Sequence, residues 1–139
     1  MPRDIRVVRL GDFLRTDVKG NVDLAASREI LQDIVSVGKV NPSLDVLIDS
    51  RRAASTASAI DVFELADSLS ESGLNPKTRI AIVNQPKDEL DRAGLLEICA
   101  RNRGFQIRAF REFEPAVTWL ASDATEVQRA EIPSPAGKG

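Results

Sequence analysis

The chain has 139 residues, the length of one ordinary globular domain with a core of its own. Its 19 basic and 21 acidic residues are scattered along the chain, which argues against a nucleic-acid binder, so we expect no nucleic-acid partner. The sequence has one cysteine and neither histidine nor tyrosine, which excludes an internal disulfide and a catalytic Ser-His-Asp or Cys-His arrangement.

Signals for membrane insertion or export are not found in the sequence. No window approaches the roughly 18 consecutive apolar residues of a transmembrane helix, so we expect no membrane span. The stretch Met1–Asp4 has no apolar run of the kind that a secretory signal needs. Together with the lone cysteine, this predicts a cytoplasmic protein.

The first predicted elements are two short strands, at residues 5–10 and 13–18, both rich in β-branched residues. Gly11-Asp12 between them suits a type II′ turn, so the two strands are predicted to form a hairpin. Lys19-Gly20-Asn21 is expected to end the second strand.

The first helix is predicted from Asp23, a capping residue, to about Val37. Its apolar residues recur at helical spacings and form one stripe: Leu24, Ile30, Leu31, Ile34, Val35 and Val37. Gly38 is expected to stop this helix, and Asn41-Pro42-Ser43 is expected to connect it to the next strand.

The apolar run Val46–Ile48 predicts a central strand that ends at Asp49-Ser50. A segment rich in hydroxyl groups then leads into a second helix, whose predicted core face consists of Val62, Leu65, Ala66 and Leu69. This helix is expected to end at Gly73 in a left-handed conformation, because Pro76 follows shortly after it.

The rest of the chain predicts two further strands, each followed by a helix. The strands are residues 79–83 and 105–111, and the helices are residues 89–102 and 115–122. Cys99 and Trp119 lie on the apolar stripes of these helices and are predicted to be buried.

The predicted fold is therefore a single α/β domain with the order β-β-α-β-α-β-α-β-α. Helices that alternate with strands after a leading hairpin predict a mixed, mostly parallel sheet flanked by helices. The domain is assigned to residues 1–122. Residues 123–139 lose all periodicity and end in Pro, Gly, Ser and Lys, so they are predicted to be a flexible tail.

Particular residues add a family resemblance to this order of elements. The closing stretch Ile107–Arg111, with Phe113, Ala116, Trp119 and Leu120 after it, is similar to the end of SpoIIAA-like domains. Leu47–Arg51 and Arg79–Val83 match in position and type. Residues 5 to 121 thus resemble the STAS domain superfamily, and most closely its SpoIIAA-like branch. That branch shares the fold of anti-sigma factor antagonists and is also compared with CRAL-TRIO lipid-binding domains.

In that superfamily an Asp-Ser-Ser-Gly motif at the start of the second helix carries a phosphorylated serine. The corresponding stretch here is Ala57–Ile60, where Ser58 is present but the Asp, the paired Ser and the Gly are not. Ser58 and Asp61 also fit a capping box, which needs no modification to explain it. Ser58 is therefore either a phosphorylation site or only a helix cap.

Adjacent parallel strands end at the same edge of a sheet, and ligands and partners bind at that edge. Residues after the third and fourth strands are therefore predicted to line one edge that faces a partner or ligand: Asp49, Ser50, Arg51, Arg52, Ser55, Thr56, Asn84 and Gln85. Arg51 or Arg52 would be placed to pair with a phosphate on Ser58. Neither strand end carries a glycine-rich phosphate loop, so a nucleotide is not expected.

Three functions follow from these patterns. The first is a non-enzymatic regulatory module that binds a protein partner, which the resemblance implies is an anti-sigma factor or kinase-like regulator, with no cofactor and no metal. The second is a binding domain for a small apolar or lipid-like ligand, which requires an apolar cavity between helices and sheet. The third is a carboxylate-based enzyme that uses Asp49 with Ser50 or Asp88. The sequence leaves open whether the protein is a homodimer.

Overall fold

The computed structural model describes residues 13–122 and the backbone of residues 3–10. Within these residues it has five strands and four helices, in the predicted order. The strands are β1 (Arg3–Leu10), β2 (Phe13–Val22), β3 (Asp45–Ser55), β4 (Arg79–Val83) and β5 (Gln106–Phe110). The helices are α1 (Leu24–Val40), α2 (Ala59–Ser72), α3 (Arg92–Asn102) and α4 (Phe113–Ala121).

The strands form one sheet in the spatial order β1-β2-β3-β4-β5. β1 is antiparallel to β2, and the other neighbours are parallel, which confirms the mixed, mostly parallel sheet. Leu10 pairs with Phe13, as a hairpin requires. The predicted turn at Gly11-Asp12 and the predicted tail at 123–139 lie outside the described residues.

Helices cover both faces of this sheet. Buried residues of α1, α2 and α3 form one core with alternate strand residues such as Val46. α4 packs on the opposite face, where Trp119 and Leu120 contact a second core that contains Leu47. Side chains alternate between the faces of a strand, so neighbouring residues of β3 point into different cores. Cys99 and Trp119 are buried, as predicted.

The helix ends follow local capping chemistry at most positions. Asp23 caps α1 by accepting a 2.8 Å hydrogen bond from the backbone N–H of Ala26. Gly73 ends α2 with a φ of 91°, the left-handed conformation that the sequence predicts. The expected stop at Gly38 is wrong, because α1 continues to Val40 and Asn41 is its C-cap. A glycine weakens a helix interior but does not by itself end it.

Two strands are longer than the sequence indicates, and they lengthen together. β2 passes through Gly20, which has a φ of 85°, and ends at Val22. β3 passes through Asp49 and ends at Ser55, so the expected end at Asp49-Ser50 is wrong. The reason is that residues 19–22 pair with residues 52–55. The third strand therefore leaves the sheet at Ser55, next to the start of α2.

The last helices also depend on polar contacts. α3 begins at Arg92 and not at residue 89, because Asp91 caps it by accepting a 3.0 Å hydrogen bond from the backbone N–H of Gly94. The guanidinium of Arg79 pairs with Asp45 and donates to the carbonyl oxygens at the end of α4: Trp119, Leu120 and Ser122. These contacts satisfy carbonyl groups that the helix itself leaves open. In the described part of the chain, no helix has the length and apolar character needed to cross a membrane.

Candidate functional site

The residues predicted to line one edge are divided between the two faces of the sheet. Asp49 contacts Arg15, whose guanidinium lies over the ring of Phe113 in α4. Ser50, Ser55 and Asn84 line a cavity on the opposite face, beneath α1, α2 and α3. The division follows from strand geometry, because Asp49 and Ser50 are consecutive residues of β3.

The Asp49 carboxylate is buried, with 8% of the residue exposed, and it is held by two guanidinium groups. Oδ2 lies 2.8 Å from Arg51 Nη2 and 3.0 Å from Arg15 Nη2. Oδ1 accepts hydrogen bonds from Arg51 Nε at 3.0 Å and from the Arg51 backbone N–H at 3.2 Å. Arg15 Nε also lies 2.8 Å from Asp17 Oδ1. We call Asp49, Arg15, Arg51 and Asp17 the Asp49 cluster.

Asp49 and Arg51 each stabilise the charged form of the other. The side-chain hydrogen bond from Arg51 lowers the pKa of Asp49 below its ordinary 3.8, although burial opposes the shift. The same hydrogen bond raises the pKa of Arg51 above its ordinary value. Asp49 is therefore a carboxylate at neutral pH, and it is a poor proton donor. The contacts show a carboxylate that braces β2 and β3 beneath α4.

Other predicted edge residues connect the ends of the strands. Ser50 Oγ donates a 3.0 Å hydrogen bond to the carbonyl of Val83 in β4. Lys87 Nζ lies 2.8 Å from the carbonyl oxygen of Arg51. Gln85 Nε2 donates a 3.3 Å hydrogen bond to the carbonyl of Arg111 after β5. These contacts fix where the loop after β4 lies relative to β3 and β5.

The start of α2 forms the capping box that the sequence predicts. Ser58 Oγ accepts a 3.1 Å hydrogen bond from the Asp61 backbone N–H. Asp61 Oδ2 accepts a 2.9 Å hydrogen bond from the Ser58 backbone N–H. Ser58, Thr56 and Arg52 are exposed. The guanidinium of Arg51 is bonded to Asp49, so Arg52 has the more accessible charge on this segment.

Sequence reasoning missed two apolar residues beside this cap. Ile60 is 67% exposed and Phe63 is 45% exposed. Residues three apart on a helix lie on one face, so the two form an exposed apolar pair in the first turns of α2. The signal was available, because both residues lie off the stripe that packs on the core. We call Arg52, Thr56, Ser58, Ile60 and Phe63 the α2-start surface.

Sequence reasoning also missed the position of Arg15. Arg15 and Asp49 are 34 positions apart in the sequence, and no local sequence pattern predicts their contact. Alternation along β2 indicates which face Arg15 takes, but not which carboxylate lies opposite on β3.

A cavity of about 160 Å³ lies between the sheet and the helices α1, α2 and α3. Its walls are mainly apolar, with contributions from residues such as Ile48, Leu65 and Ile82. Ser50, Ser55, Asp61, Asn84 and Arg92 supply its polar lining together with Ser27. The structure thus contains a cavity of the kind that the ligand-binding alternative requires.

The side chains proposed for a carboxylate-based enzyme do not converge. Asp49 and Ser50 point to opposite faces of the sheet. Asp88 is exposed and pairs with Arg92, whose hydrogen bond lowers the pKa of Asp88. Among the described residues there is no group of three or more acidic, histidine or cysteine side chains that would hold a metal ion. The geometry therefore offers no acid and base pair at this edge.

The sequence matches no protein-family model and no curated protein. An anti-sigma factor antagonist from Mycobacterium paratuberculosis is similar in structure, with a TM-score of 0.57 and 13% sequence identity. The match covers 86% of this chain and 95% of that chain.

Two further solved structures are similar at a lower level. One is an uncharacterised protein with a SpoIIAA-like fold from Shewanella loihica, with a TM-score of 0.46, 20% identity, and coverage of 85% of this chain and 93% of that chain. The other is the anti-sigma factor antagonist SpoIIAA in its unphosphorylated form, with a TM-score of 0.46, 9% identity, and coverage of 83% and 94%. On the match to the mycobacterial antagonist, this chain has the fold of the anti-sigma factor antagonists, the STAS or SpoIIAA-like fold that its sequence predicts.

Proposed function

We propose that the protein is a non-enzymatic regulatory module that binds a partner protein through the α2-start surface. The observation that carries the proposal is the exposed pair Ile60 and Phe63 beside the cap of α2. Large apolar side chains that remain exposed in a cluster mark interaction surfaces, and aromatic residues are enriched in them. The shared fold supports an anti-sigma factor or a kinase-like regulator as the class of partner.

The polar residues around this pair suit the rim of an interface. Arg52, Thr56 and Ser58 are exposed on the segment that leads into α2. Gln85 is exposed at the end of the neighbouring strand β4. An apolar centre with a polar rim is the usual arrangement in protein interfaces. We assign Asn84, at the same strand end, to the border between this surface and the cavity.

The buried and half-buried members of the predicted edge have a supporting role in this proposal. Asp49 and Arg51 form ion pairs beneath α4, and Ser50 bonds to β4. Ser55 Oγ accepts a 3.3 Å hydrogen bond from the Ala57 backbone N–H, which shapes the turn into α2. These residues hold the end of β3 in place, so the exposed residues are presented by a rigid support.

Ser58 is the proposed modification site on this surface. Its hydroxyl is exposed and lies at the helix N-terminus, where the backbone dipole favours a phosphate. A phosphate there would also meet the Asp61 carboxylate, whose Oδ2 lies 2.9 Å from the Ser58 nitrogen. Repulsion between these charges would loosen the first turn of α2 and weaken partner binding.

Site-specific crosslinking in cells tests the proposed surface. A photoreactive phenylalanine analogue at Phe63 is expected to capture one defined partner protein. The same analogue at Ile98, which is 56% exposed on α3, is the matched control and is expected not to capture it. Equal capture from both positions would contradict the proposal, because the partner would then show no preference for α2.

A second candidate function is a binding domain for a small apolar or lipid-like ligand. The observation in its favour is the cavity of about 160 Å³ between the sheet and three helices. Native mass spectrometry of the purified protein is expected to show a retained small molecule that organic extraction removes. A single mass equal to that of the bare chain, with no binding of added apolar molecules, would count against this candidate.

A further inference from the structure

The cavity lies against two isoleucines at the centre of the sheet. Ile48 and Ile82 lie on β3 and β4, on the face that α1, α2 and α3 cover, yet both are only half-buried. Their sequence neighbours on the opposite face, Leu47 and Ala81, are each 0% exposed. Both isoleucines line the cavity.

Small side chains explain why the helices leave this space open. Ala53, Ala57 and Ala93 line the cavity from β3, from the turn before α2 and from α3. Leu65 and Leu96 also line it and are only half-buried, so they do not fill it. An ordinary core is packed with few voids larger than a water molecule. The sequence therefore leaves an apolar volume where larger residues would have closed it.

The volume limits the size of what binds. Apolar protein cavities of about 150 Å³ bind benzene, whereas sites for drug-sized ligands occupy roughly 300–1,000 Å³. At about 160 Å³, this cavity fits a single ring or a branched group of similar size. A long acyl chain or a nucleotide would not be enclosed by it.

The charged groups in the lining already have hydrogen-bond partners. Arg92 forms two hydrogen bonds with the carboxylate of Asp88, at 3.0 and 3.2 Å, and its Nε donates a 2.5 Å hydrogen bond to the Ala57 carbonyl. Asp61 is engaged in the capping box with Ser58. Arg92 is paired with Asp88, and Asp61 is held at the start of α2 by the Ser58 backbone N–H. The rest of the lining is mainly apolar, and burying a charge there would cost its hydration, so the lining favours a neutral ligand.

Two polar side chains in the lining keep hydrogen-bonding capacity. Ser55 Oγ accepts from the Ala57 backbone N–H, which leaves the hydroxyl proton available to donate. No described residue hydrogen-bonds with the side-chain amide of Asn84, which can both donate and accept. Asn84 directly follows the β4 residue that pairs with Asp49, so it lies near Ser50 and apart from Ser55. Its amide alone therefore suits one hydroxyl or carbonyl group on the ligand.

We infer that the cavity binds a compact neutral molecule of about the size of a benzene ring that carries one hydroxyl or carbonyl group directed at Asn84. The inference rests on the second candidate function and specifies its ligand class. Apolar surface of the ring replaces the empty volume between Ile48, Leu65 and Ile82. The polar group of the ligand pairs with the side-chain amide of Asn84.

Methyl NMR on the whole chain tests the inference with benzyl alcohol as the probe. Benzyl alcohol is expected to give saturable shifts of the methyl signals of Ile48, Leu65 and Ile82. Toluene, which lacks the hydroxyl, is expected to bind about 10-fold more weakly because one buried hydrogen bond is lost. Asn84→Ala is expected to weaken benzyl alcohol binding about 3- to 10-fold while leaving toluene binding unchanged.

A matched pair of alanine-to-leucine substitutions tests whether the probe binds in this cavity. Ala93→Leu adds three carbon atoms inside the cavity and is expected to weaken benzyl alcohol binding at least 10-fold. Ala25→Leu makes the same change at an exposed position of α1 and is expected to leave binding unchanged. If Ala93→Leu does not fold, the titrations of the wild-type chain decide the question.

A long-chain probe separates this inference from the function on which it rests. Saturable binding of dodecanol without binding of benzyl alcohol would overturn the compact ligand class and leave the ligand-binding function standing. Shifts by neither probe up to its solubility limit would overturn both. Benzyl alcohol shifts confined to methyl groups outside the cavity would overturn the assignment of the site.

Discussion

Asp49 joins strands that are distant in the sequence. Its carboxylate lies 3.0 Å from Arg15 of β2 and 2.8 Å from Arg51 of β3. The sequence predicted an important carboxylate at this position but placed it at the end of a strand. Its burial and its partner Arg15 depend on the register of β2 against β3, which local sequence does not determine.

Asp49→Asn is predicted to lower the free energy of unfolding by about 2 kcal/mol at pH 7, because Arg51 loses its carboxylate partner and Arg15 loses one of its two. The pKa of Asp49 is lower in the folded chain than its ordinary 3.8, so its stabilising effect is present above about pH 4. That effect is lost as the pH falls through the folded-state pKa. Urea unfolding of the wild-type chain and of Asp49→Asn, at pH 7 and at pH 3, measures the size of this effect and its dependence on pH.

The exposed Asp33 of α1 provides the control for this prediction. Asp33→Asn is expected to change the free energy of unfolding by less than about 0.5 kcal/mol at either pH. A difference between wild type and Asp49→Asn that stays constant from pH 7 to pH 3 would show that the contribution of Asp49 does not come from its charge.

Ser58 is predicted to contribute to stability whether or not it is modified. Ser58→Ala removes the hydroxyl that bonds to the Asp61 backbone N–H, so it should cost about 1 kcal/mol. Ser58→Asp keeps a capping oxygen and should cost less. Urea unfolding of both variants measures the difference. Equal losses in the two variants would contradict a capping role for this side chain.

At the scale of elements, the order was predictable because each helix and strand carries its own local signals. Asp23, Ser58 and Gly73 are helix ends that the sequence predicts and the structure contains. The lengths of β2 and β3 were not predictable. Residues 52–55 have the composition of a loop, but their backbone pairs with residues 19–22, and this long-range pairing outweighs local preference.

Gly38, inside α1, and Gly73, the C-cap of α2, are predicted to respond oppositely to substitution by alanine. Gly73 has a φ of 91°, and a Cβ there would lie 3.4 Å from Val35, so Gly73→Ala should destabilise by about 1 kcal/mol or more. Gly38 lies inside α1, and a Cβ there would meet nothing within 4 Å. Gly38→Ala should therefore stabilise by roughly 0.5–1 kcal/mol.

Thermal unfolding of the two glycine variants is the measurement for this prediction. A midpoint that falls for Gly73→Ala and rises for Gly38→Ala is the expected result. Two shifts of the same sign would contradict the placement of Gly38 inside α1 and of Gly73 at the left-handed C-cap of α2, because both residues would then have the same backbone requirement.

At the scale of the whole molecule, helix periodicity predicted which faces are apolar and therefore which layers pack together. Helix periodicity did not predict that the helices and the sheet leave a cavity between them. The cavity exists because alanines occupy positions such as Ala57 and Ala93 where α2 and α3 approach the sheet. The exposed Phe63 was predictable, since it lies off the core stripe of α2, but its use by a partner depends on a second molecule.

The most direct test of the proposed function is the affinity of the captured partner for two alanine variants. Phe63→Ala is predicted to raise the Kd about 10-fold or more, as expected for an aromatic residue at the centre of an interface. Ile98→Ala, which removes another exposed apolar side chain from α3, is predicted to leave the Kd unchanged. Unchanged affinity in Phe63→Ala, in a variant that remains folded, would contradict partner binding through the α2-start surface.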